Sequence, residues 1–231
     1  MSVEITLPVG RLVGGHPMKS NRNMDKKTGQ PLFWSDGVTP SQTSFVAVAL
    51  PKAGETNWNE TVCGQLIIQE AFTAWPNGEH QYPDCAWKIV DGDSQIPGKP
   101  YKGKPGKIPA QSEGYPGHWV IKASTQLTIK CFHAGKYAPH EQIQNQNEIK
   151  PGDYCRIVIT VKGNGPVSES PGMYINPDLF ELTRAGQLIQ LGDGPDAQAA
   201  FGGSVPVLPA NAQLAPEQPA PGAPQGMPAP H

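Results

Sequence analysis

The chain has little of what usually announces a chemistry. Its four cysteines, Cys63, Cys85, Cys131 and Cys155, lie far apart and form no C-x-x-C pair. Paired zinc-ligand spacing is therefore missing, and a 231-residue chain can bury a core without a disulfide staple. There is no G-x-x-x-x-G-K-[ST] or G-x-G-x-x-G loop for a nucleotide, and no G-x-S-x-G nucleophile elbow. No stretch reaches the roughly 18 apolar residues of a membrane span, and the start Met-Ser-Val-Glu-Ile lacks a charged leader with an apolar h-region. The expectation is a soluble cytoplasmic protein with no membrane contact. Positive charge is scarce late in the chain. Residues 163–231 hold one Arg against six acids, whereas residues 1–162 hold 17 Lys and Arg against 14 acids. The formal charge of −2 thus hides a basic body and an acidic end.

What the chain has in excess is Gly and Pro, 26 of each, a load that disfavours long helices and favours short strands joined by turns. Hydrophobic alternation marks strands at Val3 to Val13 (broken by Pro8), Thr43 to Leu50, Ala86 to Val90, His118 to Ser124, Leu127 to Phe132, 154–162 and Met173 to Leu182. The segments 118–124 and 127–132 read as a hairpin. Thr43 to Leu50 alternates weakly, as a strand buried on both faces does, and stops at Pro51. Residues 57–75 are the one helix candidate. Asn57 is placed to cap it, Leu66, Ile67, Ala71 and Ala74 or Trp75 recur at helical spacing, and Pro76 ends it. Residues 16–42 and 98–107 read as polar loops. The segment 203–231 carries eight prolines and one acid, Glu217, and is expected to be a flexible tail that acts as a spacer or meets a partner in polyproline form. The domain expectation is therefore a body over 1–202 and a tail over 203–231.

Side chains alternate across a strand, so parity sorts them without coordinates. In 118–124 the set Trp119, Ile121 and Ala123 is apolar, and His118, Val120, Lys122 and Ser124 oppose it. In 127–132 Leu127, Ile129 and Cys131 oppose Thr128, Lys130 and Phe132. After the turn Pro151-Gly-Asp153, Cys155, Ile157, Ile159 and Val161 oppose Tyr154, Arg156, Val158, Thr160 and Lys162. Three strands each pair a core face with a face of cations and rings. Cys131 and Cys155 fall on the core parity and are expected to be buried thiols. Trp119 is likewise assigned to the core, and Trp58, Phe72 and Trp75 to helix packing.

Cations neutralise phosphates regardless of sequence, and rings stack on unpaired bases, so a surface mixing both suits a single-stranded polyanion. The expected contacts are Lys122, Lys130, Phe132, Tyr154, Arg156 and Lys162 on the sheet. Lys99, Tyr101, Lys102, Lys104 and Lys107 would clamp from one loop, and Lys19, Arg22, Phe33 and Trp34 from another. Two other readings stay open. One is a structural or assembly β-protein that meets another subunit through the same face. The other is a Mg²⁺-dependent nuclease using Asp84, Glu148 and Lys150, although those carboxylates lie more than sixty residues apart. Zinc at Cys131, His133 and His140 lacks clustered ligands. No metal, cofactor or catalysis is expected.

Several segments together resemble the single-stranded DNA-binding proteins of tailed bacteriophages, a family with an oligonucleotide/oligosaccharide-binding (OB) fold. They are Phe45-Val-Ala-Val-Ala-Leu-Pro-Lys52, Trp87-Lys-Ile-Val-Asp-Gly-Asp93, the turn and strand over 148–165, Ser170-Pro-Gly-Met-Tyr-Ile-Asn-Pro-Asp178 and Gly194-Pro-Asp-Ala-Gln-Ala-Ala-Phe-Gly-Gly203. The resemblance covers about residues 3–203. It implies a mainly β protein: a five-stranded Greek-key barrel with extra strands, one packed helix and a disordered C-terminal tail. It further implies a non-enzymatic binder of single-stranded DNA in phage replication or recombination, working in the host cytoplasm, with phage or host replication proteins as further partners. Many such proteins end in an acidic tail with a terminal aromatic. This chain ends Gln-Gly-Met-Pro-Ala-Pro-His231, so recruitment by that device is not expected.

Overall fold

The computed structural model describes residues 2–25, 27–81, 84–100, 105–164 and 171–190. They belong to a compact unit spanning Met1–Leu191. The Pro/Ala-rich segment 203–231, and with it the expected tail, lies outside the described residues.

Eight strands are formed among the described residues: β1 Val3–Thr6, β2 Gly10–Arg22, β3 Gln42–Pro51, β4 Ile89–Asp91, β5 His118–Thr125, β6 Lys130–His133, β7 Tyr154–Gly163 and β8 Met173–Arg184. They make one sheet in the order β4-β5-β3-β2-β7-β8-β6, with β1 also paired to β7. The sheet closes on itself. Ala86, three residues before β4, bridges Gly172 at the start of β8, through Ala86 N–H to Pro171 O (2.9 Å) and Met173 N–H to Ala86 O (3.0 Å). The chain then moves across to pair β4 with β5, Ile89 opposite Ile121. The circuit β5-β3-β2-β7-β8-β4 is the OB barrel, with β1 and β6 added. β2 bends around it through register shifts between Leu12 and Gly14 and between His16 and Ser20, the usual device for curving a strand.

The barrel interior follows strand parity. Leu12, Val46, Val48, Ile121, Ala123, Cys155, Ile157, Ile159, Val161, Met173, Ile175 and Phe180 are buried together. β3 is covered on both sides, because Ala47 and Ala49 pack outside the barrel with Val13, Val120 and Ile189. Cys131 and Cys155 are buried thiols, and burial pushes each pKa up to about 12. Trp119 is buried, with the Lys52 ammonium 4.2 Å from its ring centroid.

The helix is shorter than its sequence pattern. Asn57 caps only a single 3₁₀ turn, Trp58–Glu60. α1, Val62–Ala74, is capped by Thr61, whose side chain accepts from Gly64 N–H. Ile67, Ala71 and Trp75 face the core, while Phe72, assigned to helix packing, is exposed and packs edge-on against His80. No helix among the described residues is long and apolar enough to cross a membrane.

Three strand expectations need correction. β5 and β6 are not a hairpin: β6 runs parallel to β8, and β5 pairs with β3 and β4. The run from Val3 to Val13 is two strands, and Pro8 sits in the break. Residues 16–22, expected as loop, continue β2, and the segment beyond is a folded extension of the β2–β3 hairpin, with bridges Met24–Pro31 and Phe33–Pro40. Asp25 and Asp36 hold its two turns by accepting backbone N–H bonds from Lys27 and Thr28 and from Val38 and Thr39.

His16 ties the second β2 irregularity to the loop before β7. Its Nε2–H points at Gln146 O (2.9 Å) and Ile149 O (3.0 Å), while Nδ1 accepts from Met18 N–H (3.1 Å). These partners select the neutral ring. Burial lowers its pKa below the ordinary 6.5, Lys19 adds to that, and the two carbonyls oppose it without prevailing. Because the unfolded ring takes a proton more readily than the folded one, this contribution is complete above 6.5 and fades as pH falls below it. Urea midpoints should fall between about pH 7 and about pH 5 in the wild type, and less in His16→Gln.

Candidate nucleic-acid interface

The outward residues of the barrel's strands form two separate groups. The first runs across the closure. Lys162 on β7 is directly opposite Tyr174 on β8. Tyr174 alternates with the buried Met173 and Ile175, so its ring stands on the outer face, 53% exposed. The ammonium of Lys88 lies 5.4 Å from that ring's centroid. Lys122 N–H donates to Lys88 O at 2.9 Å, which carries the track onto β5. Lys122 is paired with Ala47, and Ser124 with Phe45, on β3. Phe45 is 36% exposed.

The floor beside Phe45 is low because β2 offers no side chains there. A Cβ on Gly14 would meet the Ala47 methyl at 3.3 Å. Gly15 has a φ of +70°, and a Cβ on it would strike Phe45 O at 1.9 Å, so only glycine allows the two strands to approach this closely. The hairpin extension continues from the same end of β2 and β3. Arg22 packs 5.7 Å from the Phe33 ring centroid, and Phe33 and Trp34 are 46% and 41% exposed. Lys19 is exposed near the end of β2.

None of Lys88, Lys122 and Lys162 forms an ion pair among the described residues. Lys88 and Lys122 are half-buried, and burial lowers both ammonium pKa values. Lys52 is a contrast. Burial would lower it, but Asp91 and Asp93 outweigh that and hold its pKa up.

The second group lies at the other end of β7, about 20 Å from Lys162 at ordinary strand rise. There Arg156 donates from Nε and Nη2 to Glu181 at 3.1 and 2.7 Å, and Tyr137 OH donates to the same carboxylate at 2.6 Å. Arg156 holds the Glu181 carboxyl below the usual range, and Glu181 holds the guanidinium above its own. With Phe132, Val158 and Leu179 these residues line a shallow cavity of about 360 Å³. Tyr154 packs under Arg184, 4.9 Å from ring centroid to guanidinium carbon. Lys130 is exposed on β6, opposite Leu179.

The sequence-derived set is therefore divided. Lys122 and Lys162 join one track, with Lys19, Arg22, Phe33 and Trp34 at its hairpin end. Arg156, Phe132, Tyr154 and Lys130 belong to the other group, because β5, β6 and β7 are not neighbours in the sheet. A single cationic track through all three strands is thus corrected. Lys99 and Lys107 are exposed in a loop whose ends meet through Gly98 N–H to Lys107 O (2.9 Å). Tyr101, Lys102 and Lys104 lie outside the described residues.

Three track residues escaped parity. Tyr174 was legible in the alternation Met173-Tyr-Ile175, and Phe45 in its phase with Ala47 and Ala49. Lys88 has no local signal, since only the closure brings it beside Tyr174. The carboxylates weighed for a nuclease do not assemble. Glu148 bonds His133 Nε2 at 3.0 Å, Lys150 pairs with Asp153, and no group of three metal-ligating side chains occurs among the described residues.

No protein-family model and no curated protein sequence matches the chain. Among solved structures it is similar to a C-terminally truncated single-stranded DNA-binding protein from bacteriophage Enc34. The identity is 14%, 80% of this chain and 88% of that chain are covered, and the TM-score is 0.55. It is also similar to the Enc34 protein in complex with single-stranded DNA, with 14% identity, the same 80% and 88% coverage, and a TM-score of 0.51. At this identity the likeness is one of fold, and it agrees with the barrel described above.

The environments of the lysines give a direct check. Under limiting acetic anhydride at mildly alkaline pH, Lys88 and Lys122 should acquire label before Lys52, as read by peptide mass spectrometry. Equal labelling would contradict the contrast between unpaired and paired ammonium groups.

Proposed function

We propose that this protein binds single-stranded DNA without sequence preference, and that it protects or organises such DNA during phage replication or recombination. The DNA lies along the track from Lys162 and Tyr174, across Lys88 and Lys122, to Phe45 and the hairpin bearing Arg22, Phe33 and Trp34. The observation that carries this reading is the run of exposed rings and of ammonium groups without an ion pair among the described residues, interspersed across adjacent strands. Phosphates are neutralised by the lysines, and bases stack on Tyr174, Phe45 and the hairpin aromatics. The likeness in fold to a phage protein bound to single-stranded DNA supports the same reading. Stacking requires bases free of a duplex, so single strands are preferred. Lys99 and Lys107, with Tyr101, Lys102 and Lys104 in the same loop, are proposed to add contacts from the side. The track holds the DNA without transforming it, and the proposed role is binding rather than catalysis.

Arg156 contributes less, because its guanidinium already serves Glu181, and a phosphate brought there would meet that carboxylate. Tyr174→Ala and Phe45→Ala should each weaken binding to fluorescent oligo-dT by about 1–3 kcal/mol. Arg156→Ala should change it less, and wild-type affinity should fall steeply between about 50 and 200 mM salt. Affinity for a duplex equal to that for oligo-dT, or indifference to both aromatic substitutions, would overturn the reading.

A further inference from the structure

Lys88 stands in a conformation that its type rarely adopts. It is the one non-glycine residue with positive φ (58°) among the described residues, in the left-handed region where a Cβ is strained. Its carbonyl accepts from Lys122 N–H at 2.9 Å, and the register that pairs Ile89 with Ile121 places the two lysines opposite each other. Both are half-buried, and neither has a carboxylate partner among the described residues. Among the described residues, the Lys88 ammonium is placed against the face of Tyr174. Local backbone strain and partial desolvation thus coincide at one lysine, with a second half-buried lysine opposite it. The neighbouring pair Ile89 and Ile121 would hold β4 to β5 without a lysine on either strand.

We infer that Lys88 and Lys122 form a seat for a single phosphate. Both ammonium groups would engage the non-bridging oxygens of one phosphodiester, and Tyr174 would steer the Lys88 chain and offer its ring to the adjoining base. This inference rests on the DNA-binding reading above and names the point where the backbone is gripped. An anion between the two lysines gives each ammonium the counter-charge it lacks among the described residues. The desolvation and strain are already present in the free protein, so the seat is organised before the ligand arrives. Two lysines sharing one phosphate differ measurably from two lysines that each take their own.

The test uses the full chain as wild type, Lys88→Gly, Lys122→Gln and the double variant. Anisotropy of fluorescent oligo-dT is followed across about 50 to 200 mM salt, and each protein is melted without DNA. Lys88→Gly should melt higher than wild type, because glycine accepts the left-handed backbone and no half-buried ammonium remains there, yet it should bind more weakly. In the double variant the slope of log affinity on log salt should fall by about 0.7, the value for one phosphate contact on a single strand. A fall of about 1.4 would mean separate phosphates, and no fall would mean no contact; either overturns the seat. A lower melting temperature for Lys88→Gly would overturn it as well. If the wild type itself fails to bind oligo-dT, the DNA-binding reading is lost, and the seat with it.

Discussion

The candidate interface depends on one short backbone contact. Two hydrogen bonds around Ala86 join the segment before β4 to the start of β8, and three residues later the same segment pairs with β5. Without that crossing, β8 and β5 would be remote members of an open sheet, and Tyr174 would keep Lys162 across the β7–β8 ladder but lose Lys88. With it, the outer faces of β7, β8, β4, β5 and β3 become neighbours around a cylinder. Trp58 stacks near Trp87, with centroids 5.1 Å apart, and so packs the helix side of the molecule against this segment. The closure also accounts for Lys88. A chain that bridges one strand and then steps over to the next must turn sharply between them, and the left-handed residue occurs at that step.

The cations of the protein divide by their company. Lys52 holds Asp91 and Asp93 and covers Trp119. Lys150 pairs with Asp153, which is buried at the turn into β7. Burial alone would raise that carboxyl, but the Lys150 ammonium and the N–H groups of Gly186 and Lys150 hold it below the ordinary range. Arg156 is shared by Glu181 and Tyr137. These cations are consumed in holding loops and strands. Among the described residues Lys88, Lys122 and Lys162 are not, and they lie on one track. Having partners therefore separates structural charge from the charge of the proposed track better than exposure does, since Lys88 and Lys122 are more buried than Arg156.

Much of the barrel was legible in the sequence because a strand's faces are set by a period of two. The alternation at 154–162 assigned Cys155, Ile157, Ile159 and Val161 to the interior and Lys162 to the outside. The weak alternation at Thr43 to Leu50 identified a strand covered on both sides. The division between 118–124 and 127–132 also sorted Trp119 and Ile129 inward. The hairpin drawn between those segments failed, because sequence adjacency suggested a pairing that β6 makes instead with β8, in parallel. Leu127, assigned to the core parity, lies before β6 and is 68% exposed.

The sequence by itself determined which side chains leave each strand together, because alternation is a local property of an extended backbone. It determined too that cations and rings share the outward faces and that the thiols face inward. Only the tertiary structure decided which outward faces adjoin. Strand order and barrel closure are set by contacts between residues far apart in the chain, and these separated Arg156 from Lys122 and brought Lys88 to Tyr174.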